Sequence, residues 1–87
     1  MGIDIFHKKP AYDAHTQVSI TQSGQDEVDG DYIKGGEFVV LASLSQHSPK
    51  TVTNLARDVR MDTRQVSKIV QSLRAKGYAK INDFSGE

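Results

Sequence analysis

Apolar residues recur along the last third of the chain at the spacing of a helix. Val66, Ile69, Val70 and Leu73 stand at i, i+3, i+4 and i+7, one stripe of a 3.6-residue period. Asp62 stands where an N-cap is needed, and Gln65 follows three residues later, the spacing of a capping box. Lys76 falls in the last turn, where the helix dipole favours a cation. Gly77 can take the left-handed conformation that ends a helix. The pattern predicts a helix over 62–76. "TVTNLARDVR", residues 51–60, predicts a helix before it, with Thr51 or Thr53 as cap and Leu55, Ala56 and Val59 inward. "EFVVLASLSQHSP", residues 37–49, predicts another. There Phe38, Leu41, Ala42 and Ser45 share a face that Val40 and Leu44 widen, and Pro49 stops the helix. "RMD", residues 60–62, reads as a tight turn.

Elsewhere the period is two or absent. In "TQVSIT", residues 16–21, Thr16, Val18 and Ile20 alternate with Gln17, Ser19 and Thr21, the pattern of a strand with two unlike faces. "YAKI", residues 78–81, sets Tyr78 and Lys80 against Ala79 and Ile81 and predicts a second strand. "QSGQDEVDGD", residues 22–31, is polar and reads as a loop or one short helical turn; the glycines of "IKGGE" mark the start of the next element. Residues 1–15 read as a tail broken by Pro10, with "IDIF" as a possible short strand, and "NDFSGE" as a terminal turn. The expected organisation is a tail over 1–15 and a single domain over 16–87, α+β and mainly α, with three helices and a small sheet.

Composition narrows the classes. Eighty-seven residues allow one core. No run of 18 apolar residues exists, so no membrane-spanning helix is expected. The start lacks a signal-peptide pattern, and Phe6 stands where a myristoylation signal needs Ser or Thr. The absence of cysteine removes disulfides and thiolate metal sites and suits a cytoplasmic protein. His7, His15 and His47 have no metal-ligand spacing. Asp13 and His15 have no nucleophile motif or phosphate loop beside them, so neither an enzyme nor a cofactor is expected.

Charge changes the picture more. The formal net charge is zero. Residues 25–37 nevertheless carry five acids against Lys34 alone, net −4, and residues 50–80 carry eight bases against Asp58 and Asp62, net +6. After Asp62 no acid appears until Asp83. Solvated helices ordinarily mix signs, because i, i+4 acid–base pairs stabilise them. A helix stripped of acids beyond its cap points to an anionic partner. The acidic stretch reads first as a solvated loop, and second as an electrostatic shield or a partner contact.

Helix, short link, helix, tight turn, helix with a polar outer face, then strand is the order of a helix-turn-helix followed by the start of a wing. Residues 38–81 accordingly resemble the winged helix-turn-helix domain of MarR-like and related archaeal and bacterial regulators. The resemblance rests on "TVTNLA" at 51–56, on the pattern V-x-x-I-V-x-x-L-x-x-K-G-Y at 66–78, and most specifically on "LRAKGY" at 73–78. It covers about half of the chain. The family's second wing strand has little room after residue 82. "VSITQSG", residues 18–24, looks instead like that closing strand with the T-x-x-G that follows it. It is expected either to pair with residues 78–82 or to be a strand unrelated to a wing.

The resemblance implies duplex DNA as the partner, a homodimer, and a role in transcription regulation. With the stripe turned inward, Thr63, Arg64, Ser67, Lys68, Gln71 and Arg74 remain for the groove. Arg64 and Lys68 can donate to guanine O6/N7, Gln71 suits adenine, and Thr63 or Ser67 suits either. Lys50, Thr51, Thr53 and Arg57 flank the helices as phosphate contacts, and Lys80 and Asn82 lie where a wing tracks the backbone. The alternative is a protein-interaction winged helix within a larger assembly.

Overall fold

The computed structural model describes residues 15–82. Residues 1–14 of the expected tail over 1–15, with its possible "IDIF" strand, and residues 83–87 of the expected terminal turn lie outside the described residues, while Asn82, expected to begin that turn, ends a strand. Strand β1 (Gln17–Ile20) leads into helix α1 (Gln22–Asp29) and helix α2 (Gly35–Gln46). The two-residue strand β2 (Lys50–Thr51), helix α3 (Val52–Val59), helix α4 (Thr63–Ala75) and strand β3 (Ala79–Asn82) follow. The described residues are thus mainly helical, with one three-stranded antiparallel sheet ordered β2-β1-β3.

The first strand occupies the centre of that sheet. Gln17, Val18, Ser19 and Ile20 pair with Asn82, Ile81, Lys80 and Ala79, so the expected ladder between the early strand and residues 78–82 forms. On the other side Gln17 and Val18 face Thr51 and Lys50. Hydrogen bonds from the Val52 N–H to the Thr16 carbonyl and from the Ile20 N–H to Ser48 Oγ extend this short pairing. The alternation then sorts the faces: Val18 and Ala79 are buried, while Ser19 and Lys80 stand on the opposite side of the pleat. Val18 joins Val40, Leu41, Leu44, Val52, Leu55, Val66, Val70 and Leu73 in one fully buried core. Each such side chain contributes about 1.5–3 kcal/mol through removal from water.

The helix ends follow from named residues. Asp62 accepts a hydrogen bond from the Gln65 N–H at 2.9 Å and caps α4; Thr51 accepts from the Asn54 N–H at 3.1 Å and caps α3. Gly77, at φ 84°, ends α4 with paired hydrogen bonds: Gly77 N–H to the Arg74 carbonyl and Tyr78 N–H to the Leu73 carbonyl. That is the Schellman arrangement.

Helix α1, eight residues long, exceeds the expected loop or single short helical turn and makes the helices four among the described residues. Its sequence has one apolar side chain, Val28, and no helical stripe. It forms because Thr21 caps it, accepting from the Gly24 N–H at 3.1 Å, and because it packs on α2. Hydrogen bonds from Gln22 to Asp26 and from Gln25 to Asp29 support it at i, i+4.

Thr21 and Gly24 also bind α1 to the far end of the chain. The Thr21 N–H donates to the Tyr78 carbonyl at 3.1 Å, and its hydroxyl donates to the Gly77 carbonyl at 2.6 Å. Gly24 is buried against the same Tyr78 carbonyl, and a Cβ there would collide with that oxygen. Gly24→Ala is therefore expected to destabilise the fold by about 1–3 kcal/mol, the usual range for overpacking. Ser23→Ala, one exposed position away, is expected to stay within about 0.5 kcal/mol. Urea denaturation of the two variants checks both values; equal midpoints would show that the backbone joint tolerates a methyl group.

Candidate nucleic-acid interface

Helix α4 presents two unlike sides. Val66, Val70 and Leu73 are fully buried, and Ile69 is partly buried against the core. Opposite them Arg64, Lys68, Gln71 and Ala75 are exposed, as are Thr63 and Gln65 in the first turn and Arg74 in the last. The helix holds no carboxylate, and that of Asp62, just before it, is used as the cap. Asp62, Arg64, Gln65 and Lys68 line a shallow depression at the start of the helix. Among the described residues no carboxylate forms an ion pair with Arg64 or Lys68.

Ser67 does not belong to this face. It is 2% exposed, on the flank of the buried stripe one residue beyond Val66, and its short side chain does not reach past its neighbours. Ser67 is therefore buried and does not stand at the groove-facing position expected for it. The stripe is wider than four apolar residues indicate, because a small hydroxyl side chain fills part of it.

Two ion pairs engage Lys50 and Lys76. Lys50 Nζ binds Asp58 Oδ2 and donates to Ser43 Oγ, and its side chain is only 11% exposed. Lys50 is therefore held inside the β2–α3 corner rather than extended from it. The hydrogen bond from Lys50 holds the Asp58 carboxyl below the ordinary aspartate range. Lys76 donates to both Glu37 oxygens, at 2.9 and 3.1 Å, linking the end of α4 to the start of α2. Ser72 Oγ donates to Glu37 Oε2 at 2.7 Å.

Elsewhere the anticipated residues divide by position. Thr51 is half-buried and its hydroxyl oxygen is occupied as the α3 cap; Thr53, also half-buried, lies in the first turn of that helix. Arg57 is exposed in the last turn of α3. Lys80 is exposed on the outer side of β3, and Asn82 beside it donates to Ser19 Oγ at 2.6 Å. Arg60 and Gln65 were not among the anticipated residues, yet both are exposed beside the start of α4. Arg60 falls where the predicted helix over 51–60 meets the "RMD" turn, and Gln65 reads as a capping residue, so neither carries a separate signal.

No group of three or more candidate metal ligands is found among the described residues, and no described helix is long and apolar enough to cross a membrane. No family model, no curated protein and no solved structure matches the chain.

The Glu37 latch has a defined pH dependence. Hydrogen bonds from Ser72 and then Lys76 lower the Glu37 pKa, and the hydrogen bond to Glu37 raises that of Lys76. Glu37, depressed in the folded state, stabilises fully above its unfolded pKa, and this is lost as pH falls through the folded value. Lys76, raised in the folded state, stabilises fully below its unfolded pKa, and this is lost as pH rises through the folded value. Glu37→Gln is therefore expected to lower the denaturation midpoint at pH 7 and to converge with the unsubstituted chain in acid. A gap that persists unchanged down to about pH 3, below the ordinary glutamate range, would remove the latch as its cause.

Proposed function

We propose that this chain binds double-stranded DNA in the manner of a winged helix-turn-helix protein, with α4 as the recognition helix. The observation that carries the reading is the outer face of α4: Arg64, Lys68 and Gln71 exposed together, with no acid in the helix and no carboxylate paired to either base. An α-helix fits the major groove, where Arg and Lys donate to guanine and Gln pairs with adenine. Thr63 and Gln65 stand at the N-terminal end, from which such helices reach base edges. Arg57, Arg74, Thr51 and Thr53 are assigned to phosphate, and Lys80 and Asn82 to the strand side of the interface. Lys50 and Ser67 are left out because one is engaged by Asp58 and the other is buried.

The role proposed is a small transcription regulator acting as a homodimer, since one recognition helix spans few base pairs and paired half-sites extend the reading. A second reading, a docking module within a larger assembly, is favoured by a groove between α2 and α3 where Phe38, Val39, Ala42 and Val59 lie beside the polar Ser43, Gln46 and Asp58.

A salt titration with random duplex DNA separates the two. Affinity is expected to fall linearly on a log–log plot, and Arg64→Ala or Lys68→Ala is expected to reduce the slope by about one contact each. Binding that is absent at low salt, or indifferent to both substitutions, would favour the docking reading.

A further inference from the structure

Arg60 occupies a conformation its residue type disfavours. It caps the end of α3 at φ 58°, ψ 44°, in the left-handed region. For a side chain with a Cβ this region is costly, and glycine or asparagine is the usual occupant. The turn itself does not require an arginine. The Arg60 N–H and the Met61 N–H both donate to the Ala56 carbonyl, so the backbone alone closes the helix end. Burial does not account for it either, because Arg60 is exposed. Among the described residues no carboxylate pairs with it. Local strain kept without a folding benefit is a pointer to function.

Its neighbours give the direction. Arg57 stands in the last turn of α3 and Arg64 in the first turn of α4, so three arginines flank one short turn, with Arg57 hydrogen-bonded back to Asn54 Oδ1. The acid within that turn, Asp62, is consumed as the cap of α4. We propose that Arg60 is a phosphate anchor, held by the left-handed turn so that it grips the DNA backbone beside the groove α4 enters. This rests on the DNA reading of α4 and adds a contact to it. Guanidinium binds phosphate with two parallel hydrogen bonds, which fixes register as well as affinity.

Arg60→Gly tests this, because glycine keeps the turn while removing the guanidinium. The full chain and the variant are titrated with random duplex DNA at several salt concentrations, and thermal unfolding is followed alongside. The expected result is a slope lower by about one contact, equivalent to about an eightfold loss of affinity at 0.1 M salt, with a midpoint unchanged or raised. Arg60→Lys is expected to retain most of the slope. An Arg60→Gly slope equal to that of a binding, unsubstituted chain overturns the anchor alone. No binding by the unsubstituted chain overturns the DNA reading and the anchor with it.

Discussion

The carbonyl group of Tyr78 is the joint on which the rest of the structure depends. It accepts a hydrogen bond from the Thr21 N–H and lies against the bare Cα of Gly24. On one side of it α4 ends, through the left-handed Gly77; on the other β1 ends and α1 begins. The strand before the helices can then lie between β2 and β3 and place Val18 in the core. Closing so long a connection has an entropic cost, but a slowly growing one. Relative to a hairpin with a loop of several residues, a connection near 60 residues adds about 2 kcal/mol. Burial of Val18 and Ala79 together contributes more than that, at roughly 25 cal/mol per Å² of apolar surface.

The same joint orients the candidate interface. Leu73 and Tyr78 are tied by the helix-ending hydrogen bond, so the direction of β3 is set by where α4 stops. At its other end α4 starts from Asp62, immediately after the turn that closes α3. Both ends are therefore fixed by capping rather than by side-chain packing alone. With Val66, Val70 and Leu73 locked in the core, the rotation of the helix is fixed too, and Arg64, Lys68 and Gln71 face outward.

What the sequence made legible is what depends on short-range periodicity. The helix over 62–76, its cap, its glycine stop, the two helices before it and the two alternating strands could all be read locally. Helix α1 could not, because its stability comes from Thr21 and from packing on α2 rather than from an apolar stripe of its own. Strand β2 is two residues long, too short for alternation to register. At the candidate site the outward set on α4 was legible except for Ser67, whose burial reflects how far the neighbouring elements wrap the helix. Lys50 was misplaced because its partner Asp58 reaches it only once the strand–helix corner is formed. Arg60 was passed over because arginine has no turn preference, so its left-handed backbone is visible only in three dimensions.

The zero net charge, eleven bases against eleven acids, conceals how the acids are distributed. Glu37 and Asp58 are spent on Lys76 and Lys50, and Asp62 on a helix N-terminus. On α1, Asp26 and Asp29 accept hydrogen bonds from glutamines of their own helix, and that helix packs on α2. None of these carboxylates forms an ion pair with Arg64 or Lys68. Salt screens exposed charges beyond about 8–10 Å, so an approaching polyanion responds to the nearest surface rather than to the sum over the chain. Electrostatic attraction is then a property of one face. A chain that is neutral overall can hold a cationic face without the self-repulsion that a large net charge imposes on the compact state.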